Sequence, residues 1–256
     1  MALLQIENLT VFFGGLRAVF DFSFEIERGQ VRGLIGPNGA GKSTVFNLIT
    51  GIHRPTQGKI AFDGIDIVGL QPHEIAAMGI GRTFQNLMLW RHMTVLEHVK
   101  LARYSKLNYG LLGAFFGTAE RNREEAQTEE IAYNLLEILG VRRFADQVVT
   151  NLPYGVQRRV EMARAMAIEP KLLLLDEPTA GMNPEELSEM VAVIRRIREE
   201  FQPAVFLIEH RMKFVMDLCE RIQTIDFGAL IAEGTPDEIR NNARVIDAYL
   251  GKGVET

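Results

Sequence analysis

Residues 36–44 read GPNGAGKST, and these nine residues decide the fold class. The apolar run VRGLI precedes them at 31–35, and Val45, Phe46, Leu48 and Ile49 follow at helical spacing. Strand, glycine-rich loop and helix, in that order, give GxxxxGK[ST] its meaning as a phosphate cradle. Gly36, Gly39 and Gly41 let the backbone turn tightly, so that several N–H groups converge on one anion. Pro37, Asn38, Ala40 and Thr44 complete the loop, and the helix beginning near Lys42 adds the positive end of its dipole. Lys42 is the point charge for the β- and γ-phosphates, and the Ser43 hydroxyl is a Mg²⁺ ligand. A bound nucleoside triphosphate, with its magnesium ion, is the expected ligand.

Working outward, short apolar runs alternate with longer helical patterns, the sequence form of an α/β sheet covered by helices. Strands are expected at 3–9, 21–26, 31–35, 59–62, 80–83, 172–175, 204–208, 221–226 and 229–233. Phe227 and Gly228 separate the last two as a two-residue hairpin turn. The runs 172–175 and 204–208 are almost wholly apolar, as central strands of a parallel sheet are when helices cover both faces. The first of them leads straight into Asp176 and Glu177, which places two acids at the carboxyl end of a buried strand, where open α/β sheets bind ligands. Asp176 is suited to Mg²⁺, through a water. Glu177 is suited to orient and deprotonate the water that attacks the γ-phosphate.

Between residues 94 and 167 the strand signal disappears and amphipathic helical patterns follow one another, notably at 124–139 and 156–167. This predicts an inserted helical subdomain at about 86–167, with the core formed by 1–85 and 168–256. Within it, 107–118 (LNYGLLGAFFGT) is apolar, glycine-rich and aperiodic, the pattern of a packed loop or of a patch that meets a partner. Arg158, Arg159 and Arg164 alternate with Glu161 and apolar residues at helical spacing, which reads as a solvated helix face.

The whole composition sets bounds on these readings. The 256 residues carry 28 Lys plus Arg and 33 Asp plus Glu, a formal net charge of −5, with 47% hydrophobic residues. A chain of that length and balance buries a sizeable core and offers no basic footprint for nucleic acid. One cysteine, Cys219, cannot form an internal disulfide, and its apolar helical surroundings predict a buried structural thiol. No apolar run approaches the roughly 20 residues that cross a bilayer. Gln5, Glu7 and Asn8 interrupt any secretory core, so the cytosol is the expected compartment.

Five motifs carry a resemblance: GPNGAGKST, RTFQN with Gln85, LPYGVQRRVEMARAM, LLLLDEP and LIEH with His210. In that order and near that spacing, they make the chain similar to the ATP-binding cassette (ABC) proteins over essentially its whole length. The resemblance implies a P-loop NTPase fold with a mixed sheet core, an N-terminal antiparallel part and an inserted helical subdomain. It also implies ATP hydrolysis between two cassettes that close on two nucleotides. By the same resemblance Phe13 stacks on adenine, Gln85 touches Mg²⁺ and the attacking water, and His210 contacts the γ-phosphate. His53, His73, His92 and His98 are read as ordinary groups. The signature segment, usually LSGGQ, reads LPYGV here, so Gly155 alone remains to reach phosphate across the dimer. Backbone N–H groups at the start of a helix from Val156 support it, and Pro153 contributes none. Asn183 in AGMNP stands where many relatives have Asp.

Several stretches, among them FFGGLRAV, LWRHMTVLEHV, LPYGVQRRVEMARA and IRNNARVIDAYLG, resemble the cassettes of bacterial importers for branched-chain and other hydrophobic amino acids. The extra residues near 107–123 resemble the longer of the two cassettes such importers pair. The implied partners are a second cassette, in a heterodimer before a homodimer, permease subunits docking near 87–90, and indirectly a periplasmic solute-binding protein. The implied place is the cytoplasmic face of the inner membrane. Nucleic acid is not an expected partner. The alternative is a soluble ABC-type ATP switch acting on nucleic acid or ribosomes, although the coiled-coil insertions and basic tails of such proteins are missing. A P-loop GTPase or small-molecule kinase would leave Gln85, Gly155 and His210 unexplained, and no NKxD-type guanine reader is present.

Overall fold

The computed structural model describes residues 2–107 and 119–250. Among these residues, ten strands form two sheets. An antiparallel sheet runs β2 (Leu16–Ile26), β1 (Leu4–Phe13), β4 (Gln57–Phe62), β5 (Ile65–Asp66). A six-stranded sheet runs β10 (Ala229–Gly234), β9 (Arg221–Asp226), β3 (Val31–Ile35), β8 (Ala204–Ile208), β7 (Leu172–Asp176), β6 (Ile80–Arg82). All of its neighbours pair in parallel except β9 and β10. The α/β class and the antiparallel N-terminal part are as expected.

The side-chain period of a strand explains why the central runs are apolar throughout. On β7, Leu173 and Leu175 face a core made with the helices, whereas Leu172 and Leu174 face a second core against the antiparallel sheet. Val205 and Leu207 on β8 take the first side, and Phe206 and Ile208 the second. Each fully buried Leu contributes about 1.5–3 kcal/mol, so a polar residue on either face would cost heavily. The helix α1 (Lys42–Ile49) lies in the second core, where Phe46 meets Phe206 edge-on at 5.1 Å. The phosphate loop is therefore clamped between two sheets.

All nine expected strands are present, and β1, β2 and β4 run at least two residues further than expected. β1 continues to Phe13 and β2 begins at Leu16, because the two pair down to Phe13 opposite Leu16 around Gly14 and Gly15. β5, two residues long, follows a turn and has no periodicity to betray it. Phe227 and Gly228 both have positive φ, 45° and 77°, the form of a type I′ hairpin turn.

The remaining helices are α2 (Pro72–Ala77), α3 (Val95–Arg103), α4 (Ala119–Ile138), α5 (Tyr154–Met166), α6 (Pro184–Phe201), α7 (Met212–Leu218), α8 (Pro236–Arg240) and α9 (Ala243–Leu250). Helices α3, α4 and α5, which lie between β6 and β7, pack on one another. α3 starts with a capping box, Thr94 accepting from Glu97 N and Glu97 from Thr94 N. Helix α5 begins two residues before the expected Val156, since Pro153, preset in φ, caps it. Most of the 107–118 stretch lies outside the described residues. Cys219 is buried, which pushes its thiol far up, and its Sγ lies where a Cβ on Gly33 would sit, at 2.9 Å.

Candidate nucleotide site

The phosphate loop leaves β3 and enters α1 through glycines that nothing else replaces. Gly36 has φ 154° and Gly41 φ 99°. A Cβ on Gly36 would fall 2.1 Å from Ile225 O, and one on Gly41 2.3 Å from Ala18 O, so neighbouring backbone forbids it. The Lys42 ammonium donates to Gly36 O (2.7 Å) and Pro37 O (2.8 Å), which fixes it over the curled loop. A cleft of about 460 Å³ opens on Asn38 to Thr44. Phe13, Gln85 and Glu177 line the same cleft, so three of the five motifs meet there beside Phe13.

Phe13 is 43% exposed at the end of β1 and packs edge-on against His53, ring centres 5.0 Å apart. A ring held at its edge keeps a face open for stacking. His53 thus supports the cleft. Phe227, 68% exposed, lines it from the β9–β10 turn, which Gly228 N joins to Ala40 O at 3.0 Å. The sequence reading took Phe227 only as a turn residue; the available signal was an aromatic in a position that demands positive φ.

The acids follow from the central strands. Glu177 has φ 45°, a left-handed conformation uncommon for a residue with a side chain, held because its N–H continues the ladder to Ile208 O at 2.9 Å. Its Oε2 accepts from Gln85 Nε2 at 3.0 Å, and its Oε1 lies 3.9 Å from His210 Nδ1. Gln85, Glu177 and His210 therefore come together. Asp176 is buried, and its Oδ2 pairs with Arg82 at 3.0 Å. Burial pushes the Asp176 carboxyl up, and the Arg82 guanidinium opposes this.

Arg82, Glu209, Arg158 and Glu161 were missed. Arg82 donates to Asn47 (2.9 Å), Thr50 (3.0 Å) and Asp176, tying α1 to β6 and β7. Glu209 is fully buried and accepts from the Thr179 N–H (3.2 Å) and hydroxyl, from His210 N (2.8 Å) and from Arg211 N (3.0 Å). It locks the turn after β7 to the turn carrying His210. An acid directly after an apolar strand was its signal, as for Asp176. The solvated helix face expected around Arg158 is a correction: Arg158 and Glu161 are buried at 2% and 0% and pair at 3.1 Å, because this side of α5 lies under the Gln85 segment.

Gly155 lies in the first turn of α5 and does not line the cleft of its own chain. Since α5 starts at Tyr154, the Val156 and Gln157 N–H groups donate to Pro153 O (3.0 and 3.1 Å). The outward amides of the helix start belong to Tyr154 and Gly155 instead. Asn183 caps α6, accepting from Glu185 N (2.9 Å) and Glu186 N (3.0 Å) while Glu186 returns to Asn183 N. A neutral amide does this as well as a carboxylate.

The residues present fit a magnesium ion. Asp176 Oδ1 is buried without a hydrogen-bond partner, and Ser43 and Gln85 line the phosphate-loop cleft; carboxylate, hydroxyl and amide oxygens are the kind of ligand Mg²⁺ takes from protein when phosphates supply the rest. Among the described residues, no cluster of three or more His, Cys, Asp or Glu offers an alternative metal site. No helix among them is long and apolar enough to cross a membrane.

The sequence profile for ABC transporters matches residues 19–180, and that for branched-chain amino acid ATP-binding cassette transporters matches 229–255. The high-affinity branched-chain amino acid transport ATP-binding protein BraF of Pseudomonas aeruginosa is 45% identical over 250 residues, 98% of each chain. The crystal structure of an ABC transporter's ATP-binding cassette in its ADP conformation superposes with a TM-score of 0.84 at 30% identity, covering 98% of this chain and 99% of that one. A dimeric bacterial ABC transporter cassette gives 0.77 at 26% identity, over 91% and 98%. Motif order, cleft geometry and likeness run along the whole length, and the chain belongs to the ABC transporter family as an ATP-hydrolysing cassette.

Proposed function

We propose that this cassette powers the import of branched-chain or other hydrophobic amino acids, hydrolysing MgATP between two cassettes at the cytoplasmic face of a membrane. The single observation that carries the cargo is the end-to-end likeness to a branched-chain amino acid transport protein, joined by the match at 229–255. A soluble switch on nucleic acid has no comparable support.

In this reading Lys42 and the loop amides bind the β- and γ-phosphates while Phe13 stacks on adenine. Ser43, Asp176 and Gln85 would hold a magnesium ion, which would neutralise charge on the phosphate oxygens. Glu177 orients the attacking water with Oε1, since Oε2 is taken by Gln85, and receives its proton there. His210, fixed through Glu209, steadies the γ-phosphate. Water oxygen bonds to the γ-phosphorus as the bond to the β–γ bridging oxygen breaks, leaving ADP and phosphate. Gly155 faces the nucleotide of a second cassette, so one chain alone holds half of each site. Residues 86–167 form the subdomain that passes closure to a permease.

The docking place for that permease is a groove of about 320 Å³ between the core and the helices. Ile75, Phe84 and Trp90 line it. Trp90 is 51% exposed there. Purification of the full chain from membranes tests the reading: integral membrane subunits and a second cassette should accompany it, and vesicles of that complex should take up labelled leucine only with ATP. Co-purification with RNA or ribosomal proteins alone would overturn it.

A further inference from the structure

Gln85 lies in a segment without regular structure, after β6 and before α3. Its position is set from below by one side-chain pair. Arg158 Nη1 donates to Phe84 O at 2.6 Å, and Arg158 Nη2 donates to Gln85 O. Glu161 Oε1 accepts from Phe84 N at 3.3 Å and from Met88 N at 3.5 Å. The pair closes on itself through Nη1 and Oε2 at 3.1 Å, buried at 2% and 0%. Two carbonyls and two amides of residues 84–88 are therefore held by two side chains one turn apart on α5. Only a planar guanidinium reaches two carbonyls and a carboxylate at once, each donor in a fixed direction. The same helix carries Tyr154 and Gly155 at its start.

We propose that Arg158 and Glu161 are positioning residues for Gln85, fixing its side chain against Glu177 and making it follow helix α5. This deepens the proposed function and rests on Gln85 acting at the reacting water. A nucleotide-linked shift of Gln85 then moves the helix start that faces the second cassette, and the reverse holds as well.

The test uses the full-length chain with R158M/E161M, which removes both charges together, R158K, Q85A and the triple variant. With Gln85 displaced by even about 1 Å, turnover falls by about 10²-fold. ADP affinity measured without magnesium stays within about twofold, because the phosphate loop is untouched; one tenfold step corresponds to about 1.4 kcal/mol. R158K keeps the ion pair but not the fork and falls between the native protein and the double variant. Hydrogen exchange of the peptide covering 84–88 becomes faster in the double variant. Added to Q85A, the double change lowers turnover no further, since its effect passes through that side chain. Native turnover in the double variant, or losses that multiply on Q85A, would overturn the proposal while leaving Gln85 in the site. Native turnover of Q85A would remove Gln85 itself, and the proposal with it.

Discussion

The phosphate loop and the Gln85 segment border the same cleft, yet they are specified in opposite ways. The loop is built from adjacent residues: glycines adopt the turn, backbone amides make the cradle, and the helix supplies the dipole. The Gln85 segment has no local code. Arg158 and Glu161 hold it from 73 to 77 residues further along the chain, and Arg82 anchors the strand that leads into it. Distant residues meet the first kind of site as backbone, through Ala18 O and Ile225 O, so its side-chain demands fall mainly on its own nine residues. The second fails when any distant partner is lost.

This difference is broken most severely at Arg82. With a 7% exposed side chain paired to a 3% exposed Asp176, its removal in Arg82→Ala leaves a buried carboxylate uncompensated. A loss of about 3–5 kcal/mol is expected, read as a lower urea midpoint. A midpoint near native would mean that the Gln85 side of the cleft is as locally specified as the loop. Lys42→Ala should do the converse. Two charge-assisted hydrogen bonds to phosphate at about 1.5–3 kcal/mol each make ATP affinity fall by about 10³-fold, with the urea midpoint little changed. Calorimetry with the variant decides it, and native affinity would take Lys42 out of the site.

Legibility in the sequence followed the same divide. Strands with burial on both faces, such as β7 and β8, announce themselves as unbroken apolar runs, and GPNGAGKST names its own geometry. Asp176 and Glu177 were readable because chain position alone put them at a strand end. Arg158 and Glu161 were misread because a charge at helical spacing looks the same whether water or another segment covers it. Periodicity gives the faces of a helix but not their neighbours. Glu209 was quoted within LIEH and passed over for its neighbour, since its four donors come from turns that only the fold brings together. The β1–β2 hairpin runs on to Phe13 and Leu16, whose side chains are exposed, because backbone pairing, not burial, holds its tip around Gly14 and Gly15.

A smaller effect separates geometry from charge within the cleft. Glu177→Gln keeps the size of the side chain and a partner for Gln85 but loses the base. Turnover should fall by about 10²-fold or more, with ATP binding retained. His210→Ala should lower turnover in the same way, whereas His92→Ala should not. Single-turnover measurements with excess cassette make the comparison. Equal losses for both histidines would undo the assignment of His210, and normal turnover for Glu177→Gln would reassign the base.

The smallest effect sharpens the comparison at His98, a residue on α3 that the sequence marked as ordinary. Its ring is fully buried, with Nε2 accepting from Trp90 N at 2.9 Å and Nδ1 donating to Thr94 O at 2.7 Å. That pattern requires the neutral ring. Burial first, then the nearby Arg164, holds its pKa below the usual imidazole value, against the opposing pull of Thr94 O and Glu97. The unfolded chain, with its ordinary value of about 6.5, therefore takes up the proton first as pH falls. The stability from His98 is complete above about pH 6.5 and is lost as pH drops toward the folded value. Urea midpoints at pH 7.5 and 5.5 should separate more for the native chain than for His98→Gln, which cannot titrate there. Equal separations would mean that the Trp90 end of the Gln85 segment is not held through this ring, and that its position rests on the α5 pair alone.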